Sequence, residues 1–153
     1  MERIASFSVN HDTLLPGIYT SRVDGDVVTY DIRTNRPNSG QYLENDEIHT
    51  FEHLFATYAR NSSAGDKIIY FGPMGCRTGF YLLVRDSLSP VQSIALVNEI
   101  TGKIAAHDGE IPGVSEPECG NAAEHSLGKA KTLAARMLET IKDWTPEQLT
   151  YQN

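Results

Sequence analysis

The feature that most constrains the fold is the stretch "KIIYFGPMGCRTGFYLLVR", residues 67–85. Two runs rich in β-branched and aromatic residues flank a turn rich in proline and glycine, a composition typical of a β-hairpin. A second stretch, "DVVTYDIR" at 26–33, alternates Val28, Tyr30 and Ile32 with other residues and therefore predicts a half-buried strand. Because the strands of a hairpin run antiparallel, we predict an antiparallel sheet.

Three stretches place apolar residues at helical spacing, roughly 46–61, 90–106 and 125–143. Asn45 or Asp46 is the expected N-cap of the first helix. Ser89 followed by Pro90 is a favourable start for the second, since proline is tolerated at the first helical position. The predicted order is strands, helix, strand pair, helix, helix. With the strand pair as a hairpin, this order predicts an α+β fold in which the antiparallel sheet packs against the helices.

Composition narrows the class of protein. A chain of 153 residues suits one domain with one core. The net charge of −7 argues against nucleic acid as a partner, because phosphate binding normally needs a basic face. No run of about 18 apolar residues or signal peptide is seen, so we expect no membrane association and a cytoplasmic protein.

The first predicted helix contains an H-x-x-E-H pattern formed by His49, Glu52 and His53. Residues four apart lie on one face of a helix, so the two imidazoles point the same way with the carboxylate beside them. Such a pair can hold one divalent cation, and the carboxylate can act as a general base. A helix with two surface or core histidines and a solvated glutamate would give the same pattern.

Both cysteines lie in predicted loops or turns. Cys119 lies in the loop at 107–120, and it is a candidate third ligand because a catalytic metal site usually has three protein ligands and one open position. Cys76 lies in the hairpin turn between Gly75 and Arg77, where a flexible backbone and a nearby cation suit a reactive thiolate. Buried, inert thiols are the alternative for both.

Two other functions fit the same residues. A small metallopeptidase would use His49, Glu52 and His53 around zinc, although the chain has no obvious partner glutamate motif and little length for a peptide cleft. A structural Cys₂His₂ zinc site would leave no open position. Cys76 distinguishes the structural site from a catalytic metal site. It would be a fourth ligand in the structural site, and a free thiolate beside an open metal position in the catalytic one.

Five segments together resemble the S-ribosylhomocysteine lyase (LuxS) family. They are "SFSVNH", "YDIRTNRPN", "IHTFEHLFATYAR", "GPMGCRTGFY" and "CGNAAEHSL". The segments run in order from Ser6 to Leu127 with spacing typical of the family. The resemblance implies a single S-ribosylhomocysteine lyase domain over residues 1–153.

The resemblance implies a carbon–sulfur lyase that cleaves S-ribosyl-L-homocysteine to L-homocysteine and 4,5-dihydroxy-2,3-pentanedione, the precursor of the quorum-sensing signal autoinducer-2. The carbonyl migrates along the ribose chain by proton transfers, and the homocysteine thiolate leaves by β-elimination. The implied Lewis acid is Fe²⁺, for which Zn²⁺ or Co²⁺ can substitute. Autoinducer synthesis and the activated methyl cycle are the expected contexts.

The resemblance also implies a role for each site residue. The implied metal ligands are His49, His53 and Cys119. The implied acid–base groups are Glu52 and Cys76. The polar groups expected in the substrate site are Ser6, His11, Arg33 and Arg60. The family assembles this site at a homodimer interface, so a second copy of the chain is the expected protein partner.

The chain departs from the family pattern in two places. Tyr70, Phe71 and Gly72 precede the "PMGC" segment, where the family commonly has Asp-Ile-Ser. The carboxylate and the serine hydroxyl of the family are missing at these positions, so contacts from those two side chains are not expected. Arg36 stands where glutamine is commoner, which places it near Arg33 in sequence. The implied ligands and acid–base groups are all present.

Overall fold

The computed structural model describes residues 1–152. The strands are β1 (Gly17–Asp24), β2 (Val27–Arg33), β3 (Ile68–Pro73) and β4 (Gly79–Arg85). The helices are α1 (Asn45–Arg60), α2 (Pro90–Ala105) and α3 (Leu127–Ile141), and short 3-10 helices cover Ala5–Phe7, Gly65–Lys67 and Pro146–Leu149. The strands form one antiparallel sheet in the order β1-β2-β4-β3. The predicted α+β class is confirmed. None of the helices within residues 1–152 has the length and apolar character needed to span a membrane.

The predicted N-cap residue is confirmed for α2 but not for α1. Ser89 caps α2 as predicted, because its hydroxyl accepts a hydrogen bond from the Gln92 amide at 3.2 Å. The predicted N-cap of α1 at Asn45 or Asp46 is wrong, since the N-cap is Glu44. The Glu47 carboxylate accepts a hydrogen bond from the Glu44 amide at 2.6 Å, which satisfies a backbone donor that the helix itself cannot pair.

Strand β1 has no counterpart among the predicted elements. Its pairing with β2 is interrupted by a register shift between Thr20 and Arg22. A shift of this kind breaks the alternation of inward and outward residues, which is the main sequence signal of a strand. The last three residues of β1 are exposed, so they also lack the alternation of buried and exposed residues that indicates a strand.

The sheet separates two environments. Tyr30 and Ile32 of β2 point into the main core, where the buried residues of all three helices pack. Successive residues of a strand point to opposite faces, so Asp31 and Arg33 lie on the other face. Tyr81, which pairs with Asp31, also lies there. The helices therefore cover one face, and the outer face carries polar and charged side chains.

Candidate active site

Four donor side chains form a cluster on the helical side of the molecule: His49, His53, Cys119 and His125. One donor atom from each lies within 4.8 Å of the others. Cys119 Sγ is 3.3 Å from His49 Nε2 and 3.9 Å from His53 Nε2. Imidazole and thiolate donors in this number suit a divalent ion such as zinc or iron. The structure thus brings together the three residues predicted as ligands, whose role as ligands stays a prediction.

Backbone carbonyls fix the orientation of two of these rings. His49 Nδ1 donates to the Glu124 carbonyl at 2.9 Å, and His53 Nδ1 donates to the Pro112 carbonyl at 2.8 Å. A carbonyl only accepts, so each Nδ1 must carry the hydrogen and each Nε2 keeps its lone pair. Both carbonyls belong to the loop at 106–126, so this loop orients the two histidine rings of α1.

His125 is the member of the cluster that the sequence prediction missed. Its Nε2 is 3.9 Å from Cys119 Sγ, and its Nδ1 is 2.9 Å from the Thr50 hydroxyl. A hydroxyl donates or accepts, so this contact does not fix the tautomer of His125. Burial, and then the neighbouring His49 and His53, lower the pKa of His125 to about 4. Its place six residues after Cys119, inside the "CGNAAEHSL" segment, was the available signal.

A cavity of about 360 Å³ lies on the outer face of the sheet. Four of the predicted site residues line it: Ser6, His11, Arg33 and Cys76. Asp31 and Tyr151 also contribute polar groups to its lining. We call this space the outer-face cavity; its lining includes none of the four donors of the cluster.

A buried ion pair lies at the wall of the outer-face cavity. Arg33 Nη2 donates to Asp31 Oδ2 at 2.6 Å, and the two side chains are only 3% and 1% exposed. Arg33 Nη1 donates to the Thr78 hydroxyl at 2.8 Å and lies 3.9 Å from Cys76 Sγ. The exposed Cys76 thiol therefore has a fixed cation beside it, the setting expected of a reactive thiolate.

Two buried polar atoms of this ion pair lack a partner within residues 1–152. They are Asp31 Oδ1 and Arg33 Nε. Buried polar groups are normally hydrogen-bonded, and an exception indicates a position for water or a ligand. Both residues line the outer-face cavity, but these two atoms are themselves buried in its wall.

The two remaining predicted residues lie on α1, outside the lining of the cavity. Glu52 is half-buried and adjacent to His53. The Arg60 guanidinium donates to the carbonyls of Ile68 and Ile69 at 3.2 and 2.9 Å. These contacts fasten the end of α1 to β3, and the predicted contact of Arg60 with substrate stays a prediction.

The structure also bears on the closed Cys₂His₂ alternative. That site requires Cys76 beside the two histidines of α1. Cys76 instead contacts Thr78 and Arg33 at the outer-face cavity, and His125 takes the fourth place in the cluster. The free thiolate expected of the enzyme fits this placement.

The departure from the family pattern before "PMGC" has a local structural counterpart. The hydroxyl end of Tyr70 lies over Gly72, where a Cβ atom would require the tyrosine ring to move. Tyr70 is itself largely exposed on the outer face. The residues at positions 70 and 72 are therefore sterically linked.

Comparison with known proteins supports the family resemblance. The family described as S-Ribosylhomocysteinase (LuxS) matches residues 4–148. The S-ribosylhomocysteine lyase of Clostridium beijerinckii is 46% identical over 159 residues, covering 100% of both chains. The proteins of the same name from Clostridium acetobutylicum and Phocaeicola vulgatus are 42% and 43% identical, and each match covers at least 98% of both chains. The resemblance drawn from the five segments is confirmed.

Proposed function

This chain belongs to the S-ribosylhomocysteinase (LuxS) family, and we propose that it cleaves S-ribosyl-L-homocysteine to L-homocysteine and 4,5-dihydroxy-2,3-pentanedione. The observation that carries the proposal is the full-length similarity to proteins named S-ribosylhomocysteine lyase. It is a carbon–sulfur lyase, and we propose that residues 1–153 form a single lyase domain, which the one continuous core supports.

The cluster fits the metal that the family implies. His49, His53 and Cys119 would hold the ion, because two carbonyl-fixed Nε2 atoms converge on one thiol. Iron(II) is the proposed ion, and zinc or cobalt are the proposed substitutes, all compatible with nitrogen and sulfur donors. When bound, such an ion supplies Lewis acidity toward the carbonyl and hydroxyl oxygens of the sugar. His125 lies beside these three residues, with its Nε2 3.9 Å from Cys119 Sγ.

Cys76 is the proposed base. Its thiolate removes a proton from a ribose carbon next to the carbonyl and returns it to the adjacent carbon, so that the carbonyl migrates. The nearby Arg33 guanidinium stabilises the thiolate form between transfers. Glu52 moves protons between the sugar oxygens. In the last step a proton leaves the carbon next to the carbonyl, the C–S bond breaks, and homocysteine departs with its sulfur as the leaving group.

The separation of Cys76 from the cluster supports a homodimeric site. The sheet lies between the outer-face cavity and the helices of the same chain. We propose that the cavity of one chain faces the metal ligands of a second copy. The exposed apolar residues Ile4, Phe7, Val23 and Tyr70 support this arrangement, since Ile4 and Tyr70 line a second outer-face pocket next to the cavity.

A subunit-mixing experiment tests the shared site. His53→Ala removes a metal ligand and Cys76→Ala removes the base, so each variant alone should be inactive. In a mixed dimer, one of the two shared sites keeps both groups. Random reassortment makes half of the dimers mixed, which gives about a quarter of the original activity. A site contained within one chain would recover none, because each chain of the mixed dimer would lack one group.

The reaction itself is tested by incubating the metal-loaded protein with S-ribosylhomocysteine and measuring free homocysteine thiol. Stoichiometric thiol release, absent with Cys76→Ala, is the expected result. Failure of a fully metal-loaded, dimeric protein to release thiol would contradict the lyase function. Hydrolysis of a peptide by the same preparation would instead favour the metallopeptidase alternative.

The cellular setting is proposed from the same chemistry. Cys76 and Cys119 are both free thiols, which fits a reducing compartment such as the cytoplasm. We propose that the reaction serves the activated methyl cycle and autoinducer-2 synthesis. Removal of the enzyme from its host should abolish autoinducer-2 activity in the medium and cause S-ribosylhomocysteine to accumulate. Unchanged signal would contradict the role in signalling.

A further inference from the structure

Tyr151, two residues before the C-terminus, contacts the buried ion pair of the outer-face cavity. Its hydroxyl donates to Asp31 Oδ2 at 2.7 Å, the same oxygen that accepts from Arg33 Nη2. Its ring stacks on Tyr19 with centroids 5.0 Å apart and planes 17° from parallel. The stacking holds the ring in place, so the hydroxyl is directed at the carboxylate.

The Tyr151 hydroxyl acts as a donor in this contact. Burial first, and then the charge of Asp31, raise the pKa of Tyr151 well above its ordinary value of 10.0. The phenol therefore stays protonated in the range in which an enzyme works. A hydrogen bond from a neutral donor to an ionised carboxylate belongs to the stronger class of protein hydrogen bonds.

The hydrogen bond from Tyr151 is a large part of what holds Asp31. The Asp31 side chain has two hydrogen-bond partners within residues 1–152, Arg33 and Tyr151, while Oδ1 has none. The Arg33 guanidinium in turn uses one edge for Asp31 and the other for Thr78 and Cys76. A change in the position of the Asp31 carboxylate should therefore also move the Arg33 guanidinium, which lies beside the Cys76 thiol.

We propose that Tyr151 is a positioning residue for the lyase reaction: its hydroxyl fixes Asp31, and through it holds the Arg33 guanidinium beside the Cys76 thiolate. The inference rests on the proposed function for its catalytic meaning. The contacts connect Tyr151 to a thiol 75 positions earlier through Asp31 and Arg33.

The test compares Tyr151→Phe with a matched control, Tyr19→Phe. Both changes remove one hydroxyl from the same stacked pair. The Tyr19 hydroxyl donates to the Leu15 carbonyl at 2.8 Å, whereas the Tyr151 hydroxyl donates to Asp31, the residue that pairs with Tyr19 across the strands. The full-length, metal-loaded protein is treated with iodoacetamide, and peptide mass spectrometry follows alkylation of Cys76 and Cys119 separately. Melting temperature and homocysteine release are measured on the same samples.

For Tyr151→Phe we expect Cys76 alkylation and kcat to fall about 2- to 10-fold, the scale of one hydrogen bond. Alkylation of Cys119 should stay close to that of the unchanged protein, and Tyr19→Phe should alter neither rate. The melting temperature should fall slightly in each tyrosine variant, because each loses one hydrogen bond. Asp31→Asn should slow Cys76 more, and adding Tyr151→Phe to it should have little further effect, because both changes act through one carboxylate.

Equal Cys76 rates in Tyr151→Phe and the unchanged protein would overturn the proposal. So would an equal slowing in Tyr19→Phe, because that would reflect packing of the ring pair. If Asp31→Asn fails to fold, the two tyrosine variants still decide. A protein that releases no homocysteine but shows the selective loss of Cys76 reactivity would contradict the proposed function and leave the positioning role standing.

Discussion

The metal-ligand cluster and the outer-face cavity are assembled from the chain in opposite ways. Two members of the cluster lie four residues apart on α1, and the other two lie six residues apart in the loop at 106–126. The cavity combines the N-terminal segment, strands β1, β2 and β4, the β3–β4 turn and Tyr151. A cluster built from two short segments leaves a local sequence pattern, whereas a cavity built from many distant segments leaves no single one.

The two regions also differ in charge. The cluster consists of imidazoles and a thiol whose donor atoms face one another, so it offers lone pairs to a cation. The cavity wall instead contains a buried carboxylate and a guanidinium that also lies beside the Cys76 thiol. Changes in the cluster should therefore act on metal content, and changes at the cavity should act on turnover with the metal retained.

Loss of a ligand should have the largest effect. His49→Ala or Cys119→Ala should reduce the metal from about one ion per chain to near zero and abolish homocysteine release, because two remaining ligands hold a divalent ion weakly. Metal analysis of the dialysed protein, alongside a thiol-release assay, checks this. Full metal occupancy in both variants would show that the cluster is not the metal site.

The acid–base groups should separate turnover from metal content. Cys76→Ala and Glu52→Gln should each keep the metal and lose about 10²- to 10⁴-fold in turnover, the usual contribution of a general acid or base. Cys76→Asp, which restores an anionic base, should recover slight activity. If Cys76→Ala were fully active, the proposed chemistry of the outer-face cavity would be wrong even though the family assignment stands.

His125 should show an intermediate effect. Its Nδ1 faces the Thr50 hydroxyl, so its tautomer is not fixed as those of His49 and His53 are. We expect His125→Ala to weaken metal binding about 10- to 100-fold, the range typical of groups beside the ligands. Competition with a chelator measures this, and Thr50→Ser, which keeps the hydroxyl, serves as the control. A loss as complete as that of His49→Ala would make His125 a full ligand.

The smallest effect should come from a surface network outside both regions. Lys129 Nζ lies 2.6 Å from Glu44 Oε2 and 2.8 Å from Asp46 Oδ2, joining α3 to the start of α1. The hydrogen bond from Lys129 lowers the pKa of Asp46 below its ordinary 3.8. The resulting stabilisation is present above that value and is lost as pH falls through the lower pKa of the folded state.

Lys129→Met should therefore lower the melting temperature slightly at pH 7, as expected of an exposed ion pair. The difference from the unchanged protein should shrink as the pH falls below 3.8. Metal content and turnover should not change. Thermal melts at several pH values check this, and a difference that persists in acid would show that Lys129 acts through packing.

Local patterns were enough to predict most of the elements and the helix that carries the metal motif. The apolar residues Ile48, Phe51 and Phe55 are buried as their spacing indicates, which leaves His49 and His53 on the neighbouring face. Five ordered segments were enough for the family. Prediction from the sequence failed where the strand pattern was interrupted, as at the register shift of β1. It also failed where a residue's role depends on a distant contact, as for His125 and Thr50, which lie 75 positions apart.

The sequence by itself thus determined the fold class, the family and the pairing of two histidines on one helix face, because each depends on residues close together in the chain. Only the tertiary structure decided that Asp31, Arg33 and Tyr151 form one network, and that this network lies across the sheet from the cluster. Strand alternation places Asp31 and Arg33 on the same face, but the packing of the helices decides which face becomes the core.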